Sequence, residues 1–399
     1  MAIIPVEEPS TGKTPAGIAL FELGFRPFFL AAGIVAAVFL FVFIIGYANG
    51  KPVSGYYGLV GWHSHEMIFG YVLAVVAGFL LTAVRNWTGM QTASGGVLAG
   101  LVGLWLLARV LPFFSGSIAH GIIAAVDFSF IPVLMVLIAI PLLRGGQKHN
   151  LILVVVLALM AVANGLVHSQ LLDYSTNTAQ TGTDLAIYVL VLLIVIISGR
   201  VVPFFIERGT GVCLKRHPQL DLFAIATVVI LAAAQVFAVD KMWIAGTALL
   251  AMIIHGLRLY SWHHRKLWSV PLLWVLYLAY LWIVTGFALR SLEALGAVPS
   301  MITVHAFTVG GMGVMTLGMM SRVALGHTGR ALVTGKWLVG AFALVNLAVI
   351  ARVFLPWFLE QWMTGLLILA AALWVFAFTL FVAVYAPTLI RSRVDGRPG

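Results

Sequence analysis

Eleven histidines are spread through this chain of 399 residues, and five of them, His63, His65, His120, His168 and His305, stand near the ends of long apolar runs. A neutral imidazole ligates haem iron or copper well, and its second nitrogen then donates to a carbonyl or a carboxylate. Two such residues on facing helices make a bis-histidine haem site. His305 lies six residues past Pro299, which on a helix is about 9 Å of rise. At that depth in an apolar layer an ionisable side chain is costly, so it turns to the bundle interior and to a partner there. His63 and His65 are two apart, roughly 200° around a helix, so they do not serve one face of one centre together.

Membrane helices must position these residues. The composition is 62% hydrophobic and 9% charged with a mean hydropathy of +1.07, which excludes an ordinary water-facing fold. The apolar runs are continuous and lack the ten-residue alternation of a barrel, so the fold class is all-α. Stretches of about 20 apolar residues predict twelve transmembrane helices over 25–47, 63–84, 95–111, 120–143, 151–172, 184–205, 220–238, 242–262, 271–292, 299–325, 337–355 and 362–385. They form one polytopic domain, 25–387, between a short segment 1–24 and a basic tail 388–399. The first residues lack a basic stretch leading into an apolar one, so helix 1 is expected to direct insertion.

The net charge of +10 does not point to nucleic acid, because the basic residues sit in short segments between the runs. With the N-terminus inside, Lys51, Arg109, Lys241, Arg290 and Arg352 fall outside, and the other eighteen of the 23 Lys and Arg fall inside. The positive-inside rule then puts both termini in the cytoplasm and the five histidines toward the outer face. Cys213, the single cysteine, excludes an internal disulfide and the C-x-x-C-H attachment motif, so any haem is held non-covalently, as haem b is.

The chain echoes itself. A shift of 240 lays His65 on His305, Gly70 on Gly310, Gly78 on Gly318 and Thr88-Gly89 on Thr328-Gly329. A shift of 243 lays Ala108-Arg109-Val110 on Ala351-Arg352-Val353. Helix 6 also carries an arginine, Arg200, followed by Thr210-Gly211, but no histidine. The echo falls eight helices on, which fits a four-helix unit used three times in a pseudo-threefold arrangement better than a six-plus-six transporter. It also makes His65 the inward-facing member of its pair, so that His65 and His305 are the candidate haem ligands. Arg109 and Arg352 lie at the same depth, where a guanidinium pairs with haem propionates or snorkels to headgroups. The glycines either clear a flat surface below the ligand or pack helices, and packing is the stronger reading. Asp127 reads as an isolated buried carboxylate, a proton relay or a hydrogen-bonded core residue. His65-Glu66 is not H-E-x-x-H because Phe69 stands at the second histidine position, and Gly12-Lys13-Thr14 lacks the upstream glycine of a P-loop.

The segments Phe25-Arg26-Pro27-Phe28-Phe29, Trp62-His63-Ser64-His65-Glu66-Met67, Arg85-Asn86-Trp87-Thr88-Gly89 and Gly199-Arg200-Val201-Val202-Pro203-Phe204-Phe205, with the run 305–330, resemble the NnrS family. That resemblance implies a haem- and copper-containing polytopic protein of the bacterial inner membrane, tied to nitric oxide metabolism and nitrosative-stress protection. A looser resemblance is to the catalytic subunit of haem–copper oxidases and nitric oxide reductases, in which helices 2 and 10 hold a low-spin haem. His65, His305, Arg109 and Arg352 are similarly placed. Helices 6 and 7 carry no histidine, however, and Thr303 stands where the second helix-10 ligand is expected. A conventional oxygen-reducing centre is therefore not expected, and a second haem or a copper would draw on His63, His120 and His168. Two function classes follow. One is a haem protein that binds or reduces nitric oxide, fed by a quinol or a cytochrome if it is a reductase. The other is a transporter or channel whose outer histidines bind an exported metal or anion.

Overall fold

A computed structural model describes residues 17–396 of the chain. Lys13, the Gly12-Lys13-Thr14 motif and Arg397 lie outside the described residues. Among the described residues, twelve helices are long and apolar enough to cross a membrane. In chain order they are α1 (Phe25–Ala48), α2 (Gly58–Thr88), α3 (Gly95–Phe114), α4 (His120–Arg144), α5 (Lys148–Leu171), α6 (Thr178–Thr210), α7 (Pro218–Val236), α8 (Lys241–Ser261), α9 (Pro271–Ala294), α10 (Ser300–His327), α11 (Lys336–Phe358) and α12 (Glu360–Ile390). Large apolar side chains such as Phe41, Leu106, Ile122, Val136 and Phe376 stand exposed around the outside. Lipid is the solvent that such a surface requires. The protein is an integral membrane protein.

Several helices are longer than hydropathy alone predicts. α2 begins at Gly58 rather than at residue 63, and α6 runs from Thr178 to Thr210 rather than over 184–205. The added turns of α6 are polar, and a hydropathy window trims polar turns even where the backbone continues helical, whereas the turn added to α2, Gly58-Leu59-Val60-Gly61-Trp62, is apolar. α1 packs against both α2 and α12, so the two ends of the chain meet. Ala19 N donates to Ile390 O at 2.7 Å, and the Arg26 guanidinium donates to the Leu389 and Arg391 carbonyls at 3.1 and 2.6 Å.

The three most buried spans are α2, α6 and α10, the second helix of each successive set of four. Each ends on its Thr-Gly pair in the same manner. The threonine hydroxyl donates back to the carbonyl four residues earlier: Thr88 to Val84 (2.7 Å), Thr210 to Ile206 (2.6 Å) and Thr328 to Ala324 (2.7 Å). The following glycine takes φ of +68°, +72° and +72°, a left-handed stop that a side chain would strain. The sequence echo thus has a structural counterpart in all three helices.

A second counterpart was not expected. Directly after His65 the backbone of α2 opens into a π-helical stretch, Glu66–Val72, and directly after His305 that of α10 does the same over Ala306–Gly313. Such wide turns recur at functional sites because they re-aim side chains and loosen carbonyls from the helical ladder. One carbonyl in the first stretch, Gly70 O, accepts from the Trp105 indole at 3.1 Å.

Candidate functional site

All five candidate histidines lie at one end of the bundle, but they divide between two environments. The first is a buried polar cluster between α2, α3, α4 and α5. On α5, Asn164 and His168 are four residues apart and so share a helical face. That face meets Asp127 of α4 and His65 of α2. The Asp127 carboxylate is the hub: it accepts from Asn164 Nδ2 at 2.7 Å and His168 Nε2 at 2.9 Å, lies 3.1 Å from His65 Nε2, and pairs with the Arg109 guanidinium. The other arm of Arg109 donates to Glu66 Oε2 at 2.9 Å, and Glu66 Oε1 lies 3.2 Å from His65 Nδ1. The loop before α2 seals the cluster. Tyr56 OH lies 2.9 Å from His168 Nδ1, and the Tyr57 ring stacks on His65 with centroids 4.4 Å apart. Burial pushes both phenols above their ordinary range, so each stays protonated and able to donate.

Asp127 is therefore not isolated, and Arg109 is occupied by two carboxylates. With both carboxylates ionised, Glu66, Asp127 and Arg109 leave one negative charge in a water-poor interior, a cost that one added cation removes. His65, Asp127 and His168 can each aim one ligand atom at a common point, the three atoms lying within 4.8 Å of one another. Two imidazoles and a carboxylate form a donor set for a divalent transition metal. Gly70 owes its place to this cluster: a Cβ there would come within 2.8 Å of Glu66 Oε2 and 3.1 Å of Arg109 Nη1. Gly78, Gly310 and Gly318 make room for Phe28, Trp282 and Val275, respectively. His120 stands exposed at the rim, its ring 4.9 Å from that of Tyr56.

The second environment is a largely apolar cavity of about 280 Å³ between α1, α2, α6, α10, α11 and α12. His63, not His65, reaches it from α2, and His305 reaches it from α10. The His63 ring stacks on Phe43 at 4.0 Å. His305 Nδ1 lies 2.7 Å from its own helix at Met301 O, and Nε2 has no hydrogen-bond partner among the described residues. Arg352 lines the same space, and its Nη1 is buried without a hydrogen-bond partner. The structure thus brings His63, His305 and Arg352 to one cavity, brings His65, His168 and Arg109 to the other cluster, and leaves His120 at the edge.

Glu66, Asn164, Tyr56 and Tyr57 were given no site role from the sequence. The first two carried usable signals. Glu66 adjoins His65, and Asn164 precedes His168 by one helical turn. The tyrosines arrive from a loop, for which no periodicity speaks.

No curated protein matches the chain. The family model described as NnrS protein matches residues 19–393. That match takes in all twelve helices together with the cluster and the cavity, and on that ground the chain belongs to the NnrS family.

Proposed function

We propose that the protein is a haem-binding membrane protein of the bacterial nitric oxide response, with haem b in the α2–α10 cavity and a copper ion in the adjoining polar cluster. The observation that carries this reading is the pairing of His63 with His305 in one cavity beside the unpartnered Arg352 nitrogen. The residues fit the group. Each imidazole offers a ring nitrogen, the walls are apolar, and a buried guanidinium lacks an anion that a propionate would supply. In this reading His63 and His305 hold the iron. The Met301 carbonyl orients the His305 ring and fixes Nε2 as its ligating atom. Phe43 holds the His63 ring by stacking, and Met67, Val304 and Trp374 keep water out. Haem held by two histidines would supply one-electron transfer. His65, His168 and Asp127 would take the copper, with Asn164, Tyr56 and Arg109 orienting them.

Family membership supports the nitric oxide assignment, and the uneven distribution of lysine and arginine supports a cytoplasmic location for both termini, with the histidine end outward. The transporter reading would require the floor of the cavity to open. Below the cavity Tyr71 hydrogen-bonds Thr316 across α2 and α10, and Trp374 and Phe378 pack edge-on against its ring.

The test is optical. Protein purified from haem-replete cells should show a Soret band with sharp reduced α and β bands. His63→Ala and His305→Ala should lose it, and His65→Ala should keep it. A colourless preparation overturns the proposal.

A further inference from the structure

A larger cavity lies at the other end of the same helices. It measures about 610 Å³ and is enclosed by α2, α6 and α10 and by the connection into α5. It belongs to neither histidine environment. On α2, seven residues separate Val72, which lines the histidine cavity, from Phe79, which lines this one; on α10, seven separate Met312 from Met319. The two spaces are thus stacked about 10 Å apart along both helices, with the Tyr71–Thr316 contact between them.

The walls combine rings with polar side chains, of which Asn86 and His149 are exposed and His327 half-buried. Phe79, Trp87, Phe204 and Phe205 supply flat apolar surface from two helices. Asn86, His149 and His327 reach the same space from three different elements, and their side chains make no hydrogen bond among the described residues. Two guanidiniums bias it positively. Arg200 lines it, bonded among the described residues only to the neutral Asn150 amide at 2.8 Å, and the buried Arg322 sits over the far side of the Phe205 wall, 3.8 Å from the ring centroid. No carboxylate lines it. An apolar cavity with a few convergent donors is the ordinary form of a small-molecule site. The occupant that matches is flat, apolar and lipid-soluble, and it carries electron-rich oxygens at its edge.

We propose that this cavity binds the headgroup of a membrane quinone or quinol, its ring against Trp87 and the phenylalanines and its oxygens toward His327 and Asn86. This inference stands apart from the haem reading, because binding is measured whether or not the protein carries haem.

The experiment titrates the full-length protein in detergent with a short-chain benzoquinone and follows heat and tryptophan fluorescence. One saturable site is expected. Trp87→Leu and His327→Ala should each weaken binding about tenfold, the worth of one stacked ring or one hydrogen bond. Asn86→Leu, at an exposed position, gives the same reading should either of those fail to fold. His305→Ala and Arg352→Gln should leave the affinity unchanged. Absence of saturable binding overturns the proposal, as do affinities indifferent to Trp87, His327 and Asn86. Two further results also overturn it: displacement of the quinone by anionic phospholipid with loss of lipid binding in Arg200→Gln, and a haem content that falls in His149→Ala and His327→Ala.

Discussion

His65 and His305 occupy matching places in two echoed helices, each immediately before a π-helical stretch, yet their surroundings are opposite. His65 is enclosed by charge: Glu66 on one ring nitrogen, Asp127 on the other, and Arg109 joining the two carboxylates. His305 contacts no carboxylate and faces an apolar space. The backbone device is shared, and what neighbouring helices bring to it decides the chemistry. Around α2, helices α3, α4 and α5 contribute an arginine, an aspartate and a histidine. Around α10, the corresponding volume stays open and is completed by His63, reaching across from the helix on which His65 turns away.

The comparison breaks most readily at the cavity. His305→Ala should abolish haem absorbance, whereas His65→Ala should leave it intact and lower copper content, read by metal analysis of the purified protein. Equal loss of haem in both variants would merge the two environments into one site. Asp127→Ala is next. It removes the acceptor from Asn164 Nδ2, His168 Nε2 and one arm of Arg109, buried donors that cost about 1–3 kcal/mol each when left unmade, and should lower the thermal unfolding midpoint in detergent well below that of His305→Ala. A stability equal to that of the parent would show that the cluster is not a buried ionic network. Arg352→Gln should weaken haem retention about tenfold, the loss of one charge-assisted bond, measured by haem transfer to a scavenging apoprotein. Unchanged retention sinks the propionate role. The smallest contrast is between echoed glycines. Gly70→Ala presses on Glu66 and Arg109, and Gly310→Ala presses on Trp282. Each should cost about 1–3 kcal/mol, but only the first should alter the metal content.

The twelve helices were legible because lipid leaves the backbone few choices, and the apolar runs announce themselves. The Thr-Gly stops were legible as an echo, and the structure shows why the echo is there: three buried helices end on the same turn. The depth of the histidines was legible too. Which histidine faces which space was not. The argument from the echo turned His65 inward, and inward it is, but toward α4 and α5 rather than toward α10. That direction depends on Asp127, Asn164 and His168, which belong to helices whose azimuths hydropathy does not fix. The near-uniform apolarity of these segments erases the stripe from which a soluble helix is oriented.

The π-helical stretches have one more consequence. A helix holding a single wide turn is out of phase with itself: everything past the turn is rotated against everything before it by about one residue's worth of arc, roughly 100°. In α2 and α10 the histidine end and the threonine-glycine end therefore answer to different sets of neighbours, and each end could be tuned without dragging the other around. Deleting one residue from Glu66–Val72 would restore the phase. It would leave the turn carrying His63 and His65 intact as a length of helix while pointing both rings at the wrong partners.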